Sequence, residues 1–342
     1  MRDKLRALQE RYAEGGVGAV AGAVLGFART QIGLRRRLKA RRVNRWKRNR
    51  SDTDLKYEHE PRASFVLQWF NQRANVPSVA PHLPAEPRYE TIVCEDGSID
   101  GSLESWDERL TRRNDFLIRS NDLHEIRTYT RGIALARGDV VCLLQDDDEL
   151  PQTTDWIEDS LSLFEAHPDL AVLCGQSAWG LHDLDPDYEF EGHDDGCHPE
   201  VESWLQGGTG YKDESADEVP TVDPTTGRPF VFTPCISVGP VWIRKEVFDE
   251  LGGFDLGFSK AGEPGMGFEV DFGLRCWEAG YRVGFTPMGF DRGEGGGTKT
   301  FAQQARDQAH EEAWNKLRRD HRHQFDAVSR RVWRANATLT DR

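Results

Sequence analysis

Thr91-Ile92-Val93-Cys94-Glu95-Asp96-Gly97-Ser98 carries an apolar run into a pair of acids, and Val140-Val141-Cys142-Leu143-Leu144-Gln145-Asp146-Asp147-Asp148-Glu149 repeats the pattern further along the chain. Each run has the length and composition of a buried strand. Carboxylates crowded where a strand ends repel one another, a cost usually tolerated where a cation or a cation-carrying ligand offsets it. In open α/β sheets that edge is also where ligands bind. The two clusters together predict a metal and nucleotide site at one edge of a sheet.

Outward from these clusters, Phe65 to Phe70 reads as a first strand, with Asn71-Gln72-Arg73-Ala74-Asn75 as its loop. Pro77, Pro81, Pro84 and Pro87 exclude a long helix before the strand at Tyr89 to Cys94. Leu103 to Arg112, Leu123 to Ala136 and Thr154 to Ala166 read as helices, and Asp115 to Arg119 as extended. This alternation predicts an α/β fold with a mostly parallel, doubly wound sheet and flanking helices, the acidic clusters closing strands two and four. Asp96 to Ser102 reads as a tight turn that delivers Glu95 and Asp96, with Ser102 capping the next helix. Phe301 to Leu339 repeats apolar residues at helical spacing, which predicts a helical C-terminal tail packed on the body.

Hydrophobic residues make up 37% of the 342, with 10 Trp and 17 Phe, enough for a real core. The net charge of −14 conceals an asymmetry, because residues 1–50 hold 15 Lys/Arg against 3 Asp/Glu. The remaining acidic body would repel nucleic-acid phosphates, so no nucleic-acid partner is expected for it. Cys94, Cys142, Cys174, Cys197, Cys235 and Cys276 form no C-x-x-C pair, which favours free thiols in a reducing, cytoplasmic compartment. Gly15 to Ala28 is uncharged but shorter than the ~20 residues of a bilayer span, and Arg35 to Arg50 packs ten basic residues into sixteen. Two readings of 15–50 stand: an interfacial helix whose polybasic tail contacts anionic membrane, or a helix packed on protein. The first is the expectation, giving a peripherally membrane-associated protein. Gly16, Gly18 and Ala21 match a dinucleotide fingerprint, but no strand precedes them. The organisation expected is an arm over 1–50, a linker over 51–62, a catalytic body over 63–300 with an acidic insertion at 179–234, and a tail over 301–342.

Five segments then fall in a specific order: Phe65 to Asn75; Glu95 to Ser102; Ala134-Leu135-Ala136-Arg137-Gly138-Asp139 before a strand; Gln145 to Pro151; and Leu251-Gly252-Gly253-Phe254-Asp255 followed by Glu269 to Arg275. The set resembles family 2 glycosyltransferases of the GT-A fold, over about Ser64 to Thr300. The resemblance implies that Glu95 and Asp96 contact the base and ribose of a nucleotide-diphospho-sugar. Phe70, Asn71, Arg73 and Ser98 would lie on the same nucleotide side, with Asp146 a further candidate. It also implies that Asp147 and Asp148 hold Mg²⁺ or Mn²⁺ on the donor pyrophosphate, and that Glu269 is the general base of an inverting transfer to a glycan or lipid-linked acceptor. Asp271 is its close companion.

Three departures from the family pattern matter. Gln145 stands where the second acidic motif usually begins with Asp. Tyr129-Thr130 replaces a common Arg-Asn pair, leaving Arg127 or Arg131 to meet phosphate. No histidine lies in Pro287 to Arg292 to complete a metal shell, and Asp291 is the nearest substitute. Gly293 to Thr300 reads either as a closing loop over the donor or as a plain surface loop. Trp179 and Trp204 read either as sugar-stacking residues or as core. His182, Asp183, Asp185, His193, Asp194, Asp195, Cys197 and His198 fit no metal spacing and read as a solvated insertion. The rival activities are a sugar-phosphate nucleotidyltransferase, which usually has a Gly-rich basic loop where Asn71 to Asn75 stands, and a non-catalytic glycan- or nucleotide-binding protein.

Overall fold

The strands that carry the two acidic motifs, β2 (Tyr89–Glu95) and β4 (Val140–Leu144), lie on either side of β1 (Ala63–Trp69) and run parallel to it. All three are buried at every position. Continuous apolar strands of this kind belong in a sheet covered on both faces. The computed structural model describes residues 61–112, 114–121, 123–189, 199–206, 219–259, 263–292 and 303–340. The expectations for the arm 1–50, the linker up to residue 60, the histidines at 193 and 198, Cys197 and the glycine-rich 293–300 lie outside the described residues.

The sheet continues through β3 (Asp115–Arg119), β6 (Leu170–Cys174), β8 (Val231–Phe232), β10 (Val241–Arg244) and β11 (Arg282–Phe285), in the order β3-β2-β1-β4-β10-β6-β11-β8. β10 is inserted antiparallel between β4 and β6, β11 is parallel to β6, and β8 closes the edge antiparallel. Two short ladders stand apart. β5 (Asp148–Glu149) pairs with β12 (Asp291–Arg292), and β7 (Ala178–Trp179) with β9 (Cys235–Ile236). Among the described residues the helices are α1 (Ser102–Arg109), α2 (His124–Leu135), α3 (Asp155–Ala166), α4 (Lys245–Glu250), α5 (Phe268–Ala279), α6 (Gln303–His321) and α7 (Phe325–Thr340), with three further short α-helices, Val76–Val79, Leu181–Leu184 and Pro199–Gln206. The first strands and helices begin and end within a few residues of the sequence reading. The antiparallel β10 was not anticipated.

Because β2 and β4 leave β1 on opposite sides, their following loops diverge and a crevice opens at the carboxyl edge. Register fixes its floor: Trp69 lies beside Glu95, and Leu67 beside Leu144. Five of the six cysteines are described, all buried and free.

The Ala134–Asp139 motif is explained by how α2 returns to the sheet. The Gly138 amide donates to Ser64 Oγ at 2.9 Å, and a Cβ at this position would come within 2.7 Å of the Ala63 and Ser64 backbone. Beside it, fully buried Glu90 accepts from Ser64 Oγ and the Arg137 amide at 2.6 Å and pairs with the Arg137 guanidinium at 2.8 Å. These bonds satisfy a charge that would be costly if left bare.

The C-terminal helices are built into the body. Asn336 on α7 accepts from Phe232 N at 2.9 Å and donates to Phe232 O at 2.8 Å, satisfying the open edge of β8. Asn336 is 1% exposed, so both of these bonds are shielded from water. Among the described residues no helix is long and apolar enough to cross a membrane. Gly138→Ala should destabilise the protein by about 1 to 3 kcal/mol, since backbone cannot yield to the added methyl as a side chain can; urea denaturation with unchanged slope would measure it.

Candidate active site

The loops after β1 and β2 are fastened to one another before they meet any ligand. Asn71, with φ at 51°, donates its amide to Ser98 Oγ at 2.9 Å and accepts from the Ile99 amide at 2.9 Å. The Arg73 amide reaches Asp100 at 2.8 Å, and Asp100 also caps Ser102. Glu95 is fully buried, takes the Ser98 amide on one oxygen, and has Arg119 Nε 3.9 Å from the other. Asp96 turns inward: both of its oxygens accept the Leu123 amide at 2.9 Å, and one accepts that of His124 at 2.8 Å. An acid at a helix N-terminus satisfies unpaired N–H groups and favours the dipole. The Asp96 carboxylate thereby fixes the start of α2.

The second cluster divides its labour similarly. Asp146 accepts the Phe70 amide at 3.0 Å, and its carbonyl accepts from Asn75 Nδ2 at 2.8 Å, which ties β4 to the β1 loop. Burial, followed by the charge of Asp147, pushes the Asp146 carboxyl up to about 8. Asp148 is 1% exposed and takes the Gln145 amide at 2.7 Å. Tyr129, which stands where an arginine was expected, lies fully buried beneath the cluster and donates to Leu144 O at 3.0 Å. Asp147 is left to face a cavity of about 370 Å³.

On the far side of that cavity stands Glu269, in the first turn of α5. Gly267, at φ 75°, starts the helix in a left-handed conformation that admits glycine at little cost. Glu269 Oε2 is buried and accepts no hydrogen bond from the described groups. Desolvation, reinforced by the charge of Glu125, raises its pKa to about 7. Glu125 lines the same cavity from the first turn of α2 and accepts the Gly265 amide at 3.2 Å. A Cβ at Gly265 would sit 2.4 Å from Ile126, so this close approach requires glycine. Burial raises the pKa of Glu125 as well. The remaining wall is aromatic: Trp179 meets Trp314 edge to face at 6.1 Å, and His310 stacks on Trp314 at 4.0 Å.

The structure thus brings Asp147 and Glu269 to one cavity, and sets Phe70, Asn71, Ser98, Glu95, Asp146 and Asp148 in the loops that frame the crevice. The remaining residues expected at the site are placed as follows. Asp271 is 3% exposed and held by Arg275 at 2.8 Å and His321 at 2.9 Å, so its charge is already paired. Asp291 lies opposite Glu149 in the short ladder, while Asp148 lies opposite position 292. Residues alternate faces along a strand, which puts Asp291 on the face away from Asp148. Arg127 is tied to Ser259 O at 3.2 Å; Arg131 and Arg73 are exposed. Trp204 packs against Phe285 at 5.5 Å and belongs to the core, whereas Trp179 lines the cavity.

Glu125, His310 and Trp314 were not foreseen as site residues. Glu125 follows the helix start, and its chemical use depends on Asp96 fixing that start; the tail residues read only as an apolar helix face. Among the described residues no three His, Cys, Asp or Glu side chains gather as a ready metal cluster. A hard cation that takes one or two carboxylates from protein and the rest from diphosphate oxygens and water needs no such cluster. Asp147, with Asp148 adjoining, fits that donor set.

Residues 70–185 match the family model described as Glycosyl transferase family 2. No curated protein matches the chain. Among solved structures, the chain is similar at 14% identity to the mannosyltransferase PcManGT from Pyrobaculum calidifontis, crystallised with GDP-Man and Mn²⁺, covering 68% of this chain and 56% of that one at a TM-score of 0.43. It is 16% identical to GalNAc-T7 with UDP, GalNAc and Mn²⁺, covering 68% and 43% at a TM-score of 0.46. For TarS of S. aureus the identity is 14%, the coverage 75% and 43%, and the TM-score 0.41. The chain spans about half the length of the first two of these structures.

A carboxyl raised in the folded state costs nothing while it is protonated in both states, and its cost grows as pH rises from the unfolded value, near 4.5, to the folded one, near 7. Glu269→Gln should therefore raise the melting temperature at pH 8 by more than it does at pH 5, with no further gain above pH 8; thermal melts across that range provide the check.

Proposed function

We propose that this chain, whose residues 70–185 belong to glycosyl transferase family 2, moves a sugar from a nucleotide-diphosphate donor to a hydroxyl of a glycan or lipid-linked acceptor, with inversion at the anomeric carbon. The observation that carries the reading is Glu269: a carboxyl that lines the same cavity as Asp147 and is raised by burial to a pKa of about 7. A general base works best when its pKa lies near the operating pH.

In this reading the interlocked loops carrying Asn71, Ser98 and Glu95 shape the nucleoside side of the crevice. Asp147 and Asp148 would hold Mg²⁺ or Mn²⁺, which when bound would supply charge stabilisation to the departing nucleoside diphosphate. Asp146 fixes the β1 loop to β4 through the Phe70 amide, and exposed Arg131 is available to a phosphate oxygen. The Glu269 carboxylate takes the acceptor hydroxyl proton as the hydroxyl oxygen bonds to the anomeric carbon, while the bond to the diphosphate oxygen breaks. Attack from the face opposite the leaving group gives inversion. The basic composition of 15–50 supports peripheral contact with an anionic membrane from the cytoplasmic side.

Incubation with a panel of nucleotide-sugars, Mn²⁺ and glycan acceptors should release nucleoside diphosphate in step with acceptor glycosylation, and chelation should abolish it. The rate should climb as pH rises through about 7, where Glu269 deprotonates, and Glu269→Gln should lose roughly 10² to 10⁴ in kcat while retaining donor binding. Wild-type turnover in that variant would reject the base. Nucleoside triphosphate formed from pyrophosphate would instead identify a nucleotidyltransferase.

A further inference from the structure

We infer that the aromatic side of the cavity is the acceptor subsite, that it takes a sugar ring bearing no negative charge, and that Glu125 hydrogen-bonds a hydroxyl of that ring. The inference rests on the transfer reading above, and narrows its acceptor.

Two independent features meet here. One is shape and surface. Trp179 from β7 and Trp314 from α6 present partly exposed rings, and Trp314 is locked by its Nε1–H to Asp183 O at 3.1 Å, with His310 stacked on its face. Apolar C–H faces of a pyranose suit fixed aromatic rings, and the ring hydroxyls then point to flanking polar groups. The other is charge. Glu125, Asp147 and Glu269 all line the cavity, and among the described residues no Lys or Arg lines it. His310 gives no lasting compensation, because desolvation lowers its pKa.

The donor diphosphate arrives with its own cation at Asp147, but an acceptor phosphate or carboxylate has no such partner. It would add a negative charge beside Glu269, whose proton affinity is already raised by desolvation and by Glu125. Among the described residues of the wall none would offset that charge. Hydroxyls fit the site better. Glu125 is steadied on one oxygen by the Gly265 amide, so it can hold a hydroxyl in a defined place. The Glu269 carboxylate, on the same cavity, can then accept from the neighbouring, attacking hydroxyl. Glu125 is thus a binding and specificity residue, with proton removal left to Glu269.

The test needs no donor. Saturation-transfer NMR on the full chain, with neutral β-linked disaccharides compared against their uronic-acid and 6-phosphate counterparts, should show contact for the neutral sugars and at least tenfold weaker contact for the anionic ones. Trp314→Ala should weaken neutral binding by about tenfold. Since that variant could disturb α6, Glu125→Gln provides a near-isosteric second arm: it should narrow the discrimination against uronates several-fold while still melting in one cooperative transition. Equal binding of neutral and anionic sugars, no sugar binding at all, or a discrimination that Glu125→Gln leaves untouched would overturn the inference. Disaccharide binding as expected together with no turnover of any donor would instead count against the transfer reading, so the two failures are distinguishable.

Discussion

Backbone amides holding carboxylates are what the site depends on. Glu95 receives Ser98 N, Asp96 receives Leu123 N and His124 N, Asp146 receives Phe70 N, and Asp148 receives Gln145 N. A carboxylate that accepts fixed N–H groups tolerates burial that it would otherwise resist. The same bonds also tie loops from different strands together, which removes freedom that a ligand would otherwise have to freeze. Acids at the sheet edge thus do two jobs. Most of them build the crevice, and the few left facing the cavity, Asp147, Glu125 and Glu269, are free for chemistry.

That division explains what could be read from the residues alone. Strands two and four and their acidic ends were legible because a buried parallel strand is a continuous apolar run, and because acids in such a place are conspicuous. The helices between them were legible from spacing. The roles of individual acids were not, since Asp96 and Asp147 look alike in sequence and differ only in which backbone amides happen to face them. Asp271 shows the same limit: it sits two residues from Glu269 on one helix, yet the turn of the helix carries it round to Arg275 and His321. Asp291 was misplaced by a two-residue ladder, in which a shift of one position reverses the face. Glu125 could be recognised only once α2 was seen to begin at the cavity.

Glu269 is held differently from the acids around it. Its environment raises the cost of its charge by desolvation, where a structural acid would be given N–H donors like its neighbours. Sites that need a reactive group keep such local instability and are supported from around it. Here the support comes from α5 itself, started by Gly267 and buried along Phe268, Val270, Phe272 and Leu274.

The C-terminal helices supply the rest of that support, and one residue shows how. His321, 5% exposed at the end of α6, bonds Asp271 through Nε2 and Glu278 through Nδ1, both at 2.9 Å and both on α5. Burial works against its charge, but the hydrogen bonds and fields of the two carboxylates prevail and lift its pKa to about 9. The sign follows: the raised pKa adds stability that is complete below the unfolded value near 6.5 and fades as pH climbs through about 9. Within that range the imidazolium joins the helix that carries His310 and Trp314 to the helix that carries Glu269. A segment that reads as a charged tail therefore holds the cavity's aromatic wall in register with Glu269, and the cavity is complete only with α6 in place.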